Sequence, residues 1–228
     1  MAEIVQIDEC TWRIEDDFVR FFLLEGSDLA VLIDSGANCL NAKDIAESLT
    51  TLPIMLINTH GDGDHTSGTA AFEEIHMNLA DYVNQKLAEK FPNTVLCPTT
   101  DGDEIELGGR KLRIIDIPGH TKGSIAILDT GRRMIFTGDS IQKGHIFMFG
   151  NHRAPEQFAD ALKTIISYAD EYDEIVASHD EPILPADYAG KVLEAWERVV
   201  RGDVSYESVD MFGTSVKSYT TEVCGFFC

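Results

Sequence analysis

The segment NTHGDGDHTSG, residues 58–68, constrains this chain more than any other stretch. Four side chains able to coordinate a metal ion lie within six of its residues: His60, Asp62, Asp64 and His65. The apolar run PIMLI, residues 53–57, comes directly before it and predicts a short buried strand. Gly61 and Gly63 let the backbone fold tightly, so that residues two apart can point into one pocket. The segment therefore predicts a metal site on a loop at a strand end.

Three further side chains of the same kind each follow an apolar, strand-like run. They are His120 in DIPGHTKGS, Asp139 in FTGDS and His179 in VASHDEP. A rigid sheet can hold such loop residues together, so we expect them to meet the first cluster. One divalent ion takes about four to six ligands, so seven candidates suit two ions that share a bridge. Taken singly, a histidine or aspartate in a glycine-containing loop is more often a solvated side chain or a turn former.

The remaining histidines lie outside this pattern. His76 in IHMN is expected to have an ordinary strand-end or surface role. His145 and His152 lie in QKGHIFMFGNHR, residues 142–153, a loop that we expect over the mouth of the site. Its apolar residues 147–149 either line a substrate pocket or pack the loop down. His145 is a candidate substrate contact or proton donor.

Strand-like and helix-like patterns alternate along the chain, in the order strands, helix, strand, helix, strands, helix, strand, helix. Asn41 is predicted to cap the first helix. One helix is predicted over LADYVNQKLAEKF, residues 79–91, and Pro92 should stop it. No segment has the composition of a linker. We therefore predict a single domain over residues 1–228, with residues 203–228 as a strand or hairpin added at its edge.

The combined pattern resembles the metallo-β-lactamase superfamily, whose motif is H-x-H-x-D-H followed by a single His, Asp and His at strand ends. The spacings, 55 residues from His65 to His120, then 19 to Asp139 and 40 to His179, resemble the glyoxalase II-like branch. This chain carries an H-x-D-x-D-H variant of the motif. The resemblance implies an α+β fold, a four-layer αβ/βα sandwich of two mixed sheets with outer helices, and a site at one edge between the sheets.

The resemblance also implies a role for each matching residue. His60, residue 62 and His120 would hold a first ion, Asp64, His65 and His179 a second, and Asp139 would bridge them. A hydroxide between the ions would be the nucleophile, since metal coordination lowers the pKa of water to about 7. Asp64 and Asp139 are assigned a catalytic role as well. Asp34, in LIDSG, resembles the family's acid that orients a ligand histidine.

Asp62 departs from the common motif, because a carboxylate stands where the family usually has a third histidine. Oxygen ligands shift the preference of a site towards manganese or iron relative to zinc. We therefore expect two divalent ions, zinc first, with manganese or iron as alternatives. Alternatively, the aspartate at position 62 impairs the first site, so that the protein binds only one ion.

The predicted function is that of a dinuclear metallohydrolase acting on a small ester, thioester, lactone, amide or phosphodiester. The alternative is a di-iron oxidoreductase or oxygen-sensing protein without a flavodoxin domain. A net charge of −21 argues against nucleic-acid partners, including a single-strand nuclease function. Five scattered cysteines and the absence of an apolar signal or membrane segment predict a cytoplasmic protein without a membrane partner.

Overall fold

Two large mixed β-sheets face each other across the centre of the molecule. A computed structural model describes residues 2–228. The first sheet has seven strands in chain order: β1 (Glu3–Asp8), β2 (Thr11–Asp16), β3 (Val19–Glu25), β4 (Ala30–Ile33), β5 (Ile54–Ile57), β6 (Glu74–Asn78) and β7 (Val95–Thr99). The strands pair antiparallel from β1 to β4 and parallel from β4 to β7. The carboxyl ends of β4, β5 and β6 therefore meet at one edge.

The second sheet has six strands, ordered β14-β13-β11-β10-β9-β8. They are β8 (Glu104–Glu106), β9 (Lys111–Asp116), β10 (Ile125–Asp129), β11 (Met134–Phe136), β13 (Glu174–Val176) and β14 (Ile183–Pro185). Only β11 and β13 pair in parallel; the other neighbours in this sheet are antiparallel. The ends of β11 and β13 consequently point to the same edge of the molecule.

Apolar side chains of both sheets form one core between them. Phe22 and Ile33 of the first sheet are buried in one cluster with Ile114 and Ile127 of the second. Strands β3, β4 and β10 are rich in apolar residues because both of their faces are buried, one against the opposite sheet and one against helices. This arrangement confirms the predicted α+β fold with an αβ/βα sandwich.

Helices cover the outer faces of the sheets. They are α1 (Ala42–Leu49), a short 3₁₀ turn (Thr69–Ala71), α2 (Leu79–Asn84), α3 (Leu87–Lys90), α4 (Phe158–Ser167) and α5 (Tyr188–Arg201). The apolar faces of α4 and α5 pack in one cluster with the second sheet. Asn41 is the N-terminal cap residue of α1, but its side-chain oxygen accepts from the Cys39 thiol, not from the helix.

The prediction of one helix over residues 79–91 is wrong, because this segment forms two short helices, α2 and α3, with a break between them. Lys86 stands in the break with φ of 54°, a left-handed conformation that ends the α2 hydrogen-bond ladder. The break turns the side chain of Gln85 back towards the loop after β5, where its amide donates to Asp62 (3.0 Å) and Asp81 (3.3 Å). Periodicity could not show this, because the apolar spacing continues across the break.

The C-terminal residues form a third sheet that the sequence patterns did not predict. Its strands, ordered β12-β17-β16-β15, are β12 (His145–Phe147), β15 (Tyr206–Met211), β16 (Thr214–Thr220) and β17 (Gly225–Phe227). The predicted hairpin exists as β15 and β16, but it is not added to the edge of a main sheet. Instead, β17 pairs in parallel with β12, inside the 142–153 loop. The tail thereby supports that loop over the edge where the main strands end.

Two further properties of the described chain bear on its class. Across residues 2–228, no helix has the length and apolarity needed to cross a membrane. The five cysteines carry free thiols, and Cys224 is buried in the cluster beneath the third sheet.

Candidate metal centre

Loops at the ends of four strands place the seven predicted ligand side chains at one edge between the two main sheets. The loop after β5 carries His60, Asp62, Asp64 and His65, and the loops after β9, β11 and β13 carry His120, Asp139 and His179. The four histidines each lie within 4.0 Å of Asp139. The other two carboxylates, Asp62 and Asp64, lie within 4.0 Å of one of these histidines. The structure therefore brings all seven residues together.

Each of the four histidines uses Nδ1 for a contact that points away from the centre. The partners are the Thr59 hydroxyl for His60 (3.0 Å), Asp34 for His65 (2.8 Å), the Phe147 carbonyl for His120 (2.9 Å) and the Phe18 carbonyl for His179 (2.8 Å). A ring that donates from Nδ1 presents the lone pair of Nε2 in the opposite direction. All four Nε2 atoms consequently face the centre, as they do in metal-binding histidines.

The ligand atoms fall into two groups. In the first, Nε2 of His60 and Nε2 of His120 are 3.3 Å apart, and Oδ2 of Asp62 lies 3.7 Å from the former and 3.3 Å from the latter. In the second, Oδ2 of Asp64 lies 3.8 Å from Nε2 of His65 and 3.5 Å from Nε2 of His179. A tetrahedral ion with ligands about 2.1 Å away separates them by about 3.4 Å, so both groups have suitable spacing.

Asp139 stands between the two groups and turns one oxygen to each. Its Oδ1 lies 3.0 Å from His65 and 3.2 Å from His179. Its Oδ2 lies 3.6 Å from His120 and 4.0 Å from His60. One carboxylate with its oxygens aimed at different groups has the geometry of a bridging ligand.

The charges at this edge favour a cation. Burial alone would raise the pKa of the Asp139 carboxyl, but His179 and His65 beside it hold that pKa well below its ordinary value. Burial alone would lower the pKa of His179, but Asp139 and Asp64 outweigh it and raise that pKa to about 10. Burial lowers the pKa of His60 well below its ordinary value. The carboxylates therefore stay ionised and His60 stays neutral, as metal binding requires, whereas His179 would give up its proton to an incoming ion.

Two buried atoms that face the centre are placed to coordinate a metal ion and make no aligned hydrogen bond. Nε2 of His65 and Oδ1 of Asp139 are buried and lack an aligned hydrogen-bonding partner within residues 2–228. An unpaired buried polar atom costs about 1–3 kcal/mol, which coordination to an ion would remove. Four imidazole nitrogens and three carboxylates also form a donor set that suits zinc, manganese or iron. The residues present therefore fit divalent ions.

Asp34 supports one histidine of each group. Its Oδ2 contacts Nδ1 of His65 and accepts from the Thr59 hydroxyl (2.8 Å), which in turn contacts Nδ1 of His60. Its Oδ1 accepts from the Thr59 backbone N–H (2.7 Å) and the Asn58 amide (3.3 Å). Asp34 has φ of 65°, an unfavourable conformation for a non-glycine residue that these four contacts hold in place.

Asp81 is a buried acid at this edge that sequence reasoning missed. It accepts from the backbone N–H of Gly61 (2.7 Å) and of Gly123 (2.8 Å), and from the Thr121 hydroxyl (2.8 Å). Burial raises the pKa of the Asp81 carboxyl above its ordinary value. The residue ties the loop of the first four ligands to the loop of His120. Its only signal in the sequence is an acid in the first turn of α2, which by itself indicates no more than favourable helix electrostatics.

A cavity of about 780 Å³ opens above the ligand groups. Phe18, Phe147 and Phe212 give it an apolar wall, and His145, His152 and Arg153 lie on its polar side. The loop residues 147–149 were predicted either to line a substrate pocket or to pack the loop down, and both roles occur. Phe147 lines the cavity, while Met148 is buried in the core beneath the loop. Phe18 and Phe212 were missed, because isolated aromatic residues in turns carry no sequence signal for a binding wall.

The other histidines occupy different places. His145 lines the cavity, stacks on Phe227 with ring centroids 4.3 Å apart, and lies 3.2 Å from the Ser218 hydroxyl. His152 also lines the cavity, with Nε2 3.5 Å from Oδ1 of Asp62. His76 lies away from the centre on β6, half-buried next to Glu74 and Cys97. His76 thus lies outside both ligand groups, and its ordinary strand-end or surface role stays a prediction.

Comparison with known proteins places this geometry in a family. The family model described as the metallo-beta-lactamase superfamily matches residues 14–206. A solved structure, a metallo-beta-lactamase from Pontibacter korlensis, superposes with a TM-score of 0.73 at 16% identity, covering 86% of this chain and 99% of that one. At that identity the likeness supports the fold alone.

Two curated relatives carry the names of thioester-cleaving enzymes. The chain is 28% identical over 134 residues to a hydroxyacylglutathione hydrolase from Gloeobacter violaceus, covering 58% of this chain and 51% of the relative. It is 22% identical over 190 residues to the human acyl-coenzyme A thioesterase MBLAC2, covering 66% of this chain and 68% of the relative. The chain thus spans about half of the first relative and about two thirds of the second.

Proposed function

Because the chain belongs to the metallo-β-lactamase superfamily, we propose that it is a dinuclear metal-dependent hydrolase that cleaves the thioester of a small, apolar acyl group. The observation that carries the proposal is the pair of ligand groups that share Asp139 at the floor of a cavity with an aromatic wall. Zinc is the first candidate for both ions, and manganese or iron is the alternative for the first group, because Asp62 adds an oxygen donor.

The ions would supply one kind of chemistry, a water activated at neutral pH and a polarised carbonyl oxygen. The protein's own residues supply the rest. Asp34 fixes the orientation of His65, and Asp81 fixes the loop beneath Asp62. Asp64 is the least buried of the three ligand carboxylates, with 26% of its side chain exposed. It is therefore the carboxylate best placed to accept a proton from water that enters the cavity.

The cavity supports the choice of substrate class. An acyl chain laid against Phe18, Phe147 and Phe212 would place its carbonyl carbon over the ligand groups. A departing thiolate is stable near neutral pH and needs no proton from the protein, whereas an amine or alkoxide leaving group does. The names of both relatives, a hydroxyacylglutathione hydrolase and an acyl-coenzyme A thioesterase, agree with a thioester substrate. The thiol carrier would extend out of the mouth of the cavity.

Further proposals concern partners and location. We propose a small-molecule substrate and no nucleic-acid partner, since a chain with a net charge of −21 repels phosphate backbones. The five free thiols support a reducing compartment such as the cytoplasm.

The experiment uses one acyl chain on three thiol carriers: coenzyme A, glutathione and the short neutral N-acetylcysteamine. Loss of thioester absorbance is the readout, because the five free cysteines of the chain would interfere with thiol-trapping reagents. The metal-loaded protein should cleave the thioesters and lose activity when a chelator is added. Inactivity of the metal-loaded protein on all three carriers, at every acyl chain length from two to eight carbons, would contradict the proposal.

A second candidate, di-iron redox or oxygen-sensing chemistry, is favoured by one observation. Three carboxylates face the centre, and one of them, Asp62, replaces a nitrogen donor. Protein purified without oxygen would then hold iron and show a visible absorption band on exposure to air. The thioesterase proposal predicts instead that zinc- or manganese-loaded protein is colourless and fully active.

A further inference from the structure

Arg153 places a guanidinium group against the first ligand group. The residue lies in the loop between β12 and α4, and only 8% of its side chain is exposed. Nη2 lies 2.7 Å from Oδ2 of Asp62, and Nη1 lies 2.8 Å from Nε2 of His120. Nη1 also donates to the His120 backbone carbonyl (3.2 Å). The guanidinium therefore contacts two of the three side chains that make up this group.

The loop that carries Arg153 is held in place on both sides. The Arg153 backbone N–H donates to the Gly150 carbonyl (3.2 Å), and the next residue, Ala154, donates to the Gly119 carbonyl (2.9 Å). The Lys122 backbone N–H donates to the His152 carbonyl (2.9 Å). These bonds join the loop to the segment of His120, so the guanidinium is anchored opposite its contacts.

The atoms that Arg153 contacts are the ones that an ion would use. Since Nδ1 of His120 faces the Phe147 carbonyl, it carries the ring proton, and Nε2 offers its single lone pair towards the centre. That lone pair accepts from Nη1 or coordinates an ion, but not both. Oδ2 of Asp62, which faces His60 and His120, is likewise the oxygen paired with Nη2.

The second ligand group has no comparable contact. Within residues 2–228, no lysine or arginine nitrogen lies within 4.0 Å of a carboxylate oxygen of Asp64 or Asp139, where the pairs are with histidines. Lys90 is the cation that influences both Asp62 and Asp64 from a distance, while its Nζ donates to the Thr66 hydroxyl (2.8 Å). Among the lysines and arginines of residues 2–228, Arg153 is therefore the one that contacts ligand side chains, and it contacts only the first group.

We propose that Arg153 is a built-in cation that competes with the first metal ion for Asp62 and His120. An ion binds at the first group only when the guanidinium withdraws into the cavity that it lines, so the second group fills first and binds more tightly. Asp62 and Arg153 act together in this account, since a carboxylate pairs with a guanidinium and a histidine does not. The inference rests on the proposed two-ion centre.

The size of the effect follows from the bonds that an ion must displace. Hydrogen bonds between charged groups contribute roughly 10- to 100-fold each to an equilibrium constant in protein settings. The bond to the charged Asp62 alone sets the minimum, so removing the guanidinium should tighten binding of the first-group ion by at least about 10- to 100-fold. The second-group ion should stay within about threefold of its wild-type affinity.

The test is a titration of the chelator-stripped full chain with Co²⁺ and with Zn²⁺, followed by isothermal calorimetry and visible spectroscopy. Arg153→Gln removes the charge, Arg153→Lys keeps it without the two-pronged contact, and Lys90→Gln is the matched control that removes a nearby cation touching no ligand atom. Circular dichroism and thermal melting of each variant establish that it is folded.

The wild type should bind two ions with clearly separated affinities. Arg153→Gln should close that gap, Arg153→Lys should give an intermediate value, and Lys90→Gln should keep the wild-type gap. Equal affinities in the wild type, an unchanged gap in folded Arg153→Gln, or an equal closing of the gap in Lys90→Gln would each overturn competition by Arg153 while leaving the two-ion hydrolase intact. Failure of every folded protein to bind a second ion would instead refute the two-ion centre itself.

Discussion

The two ligand groups share Asp139, yet the protein holds them in different ways. In the second group, His65 rests on Asp34, and the carboxylate of Asp64 faces histidines. In the first group, the carboxylate of Asp62 is paired with Arg153 and also accepts from the Gln85 amide. Two sets with similar spacing between ligand atoms can therefore differ in affinity, because the neighbours of the ligands decide what an incoming ion must displace.

The largest effect is expected from a change in Asp139, the residue that the two ligand groups share. Asp139→Asn takes away the negative charge and one of the two oxygens that face the groups. Since metal activation of water and of the carbonyl depends on both ions, hydrolysis should fall by at least about 1,000-fold. Elemental analysis should show fewer than two ions per chain.

Asp187→Asn is the matched control for this change, because it makes the same substitution on the exposed surface of the segment before α5. It should keep both ions and full activity. An Asp139→Asn protein that retained two ions and wild-type turnover would rule out the bridge.

The next largest effect is expected from a change in Asp34, which should weaken ion binding at the second group more than at the first. Asp34→Asn keeps the shape of the side chain but weakens its direct contact with His65, whereas His60 is reached only through Thr59. Changes in such supporting residues typically cost about 10- to 100-fold in metal affinity. The ion of the second group should therefore weaken by that factor, and the ion of the first group should weaken less.

Calorimetric titration measures both constants in one experiment. Asp16→Asn is the control. Asp16 accepts from the backbone N–H groups of Ala37 and Asn38, in the loop that follows Asp34, and touches no ligand side chain. Equal weakening of the two ions in Asp34→Asn would show that the groups are not supported separately.

A smaller effect tests the identity of the ion at the first group. Asp62→His replaces an oxygen donor by a nitrogen donor, so the preference of that group for zinc over manganese should rise by about tenfold or more. The second group should keep its selectivity. Competition between the two metals, read by elemental analysis, gives both ratios, and an unchanged ratio at the first group would mean that Asp62 is not a ligand.

The smallest effect concerns pH. The pKa of His179 is raised from its ordinary value of 6.5 to about 10 by Asp139 and Asp64, against the opposing effect of burial. A raised pKa stabilises the folded state fully below pH 6.5, and this contribution is lost as the pH rises through 10. Chelator-stripped protein should therefore melt at lower temperature at pH 10 than at pH 7, by about 2–4 °C for each kcal/mol lost.

Metal-loaded protein should lack this decline, because a coordinated imidazole is already deprotonated. Melting curves of the loaded and stripped forms at pH 6, 8 and 10 make the comparison. Parallel pH dependence in the two forms would argue against His179 as a ligand.

The ligands could be predicted from the sequence because each follows an apolar strand and so is fixed by local structure. His120, Asp139 and His179 are far apart in the chain, but the sheet order brings the ends of their strands to one edge. Asp34 could be placed by resemblance, as a polar residue at the end of β4. These positions depend on strand formation, which the apolar runs predict well.

The residues around the ligands could not be predicted in this way. Arg153 reaches Asp62 only because the 142–153 loop folds back across the site, and that path depends on the pairing of β12 with β17. Gln85 faces Asp62 because the helix breaks at Lys86. Both features arise from tertiary contacts between segments far apart in sequence, for which periodicity and spacing carry no signal.

The proposed centre holds two ions that flank Asp139, one in each ligand group. Anomalous diffraction from crystals grown with excess zinc and collected at the zinc absorption edge tests it most directly. Two peaks are expected, one on each side of Asp139, and the weaker of the two should lie beside Asp62 and His120. A single peak, or peaks remote from Asp139 such as beside Glu74, His76 and Cys97, would contradict it.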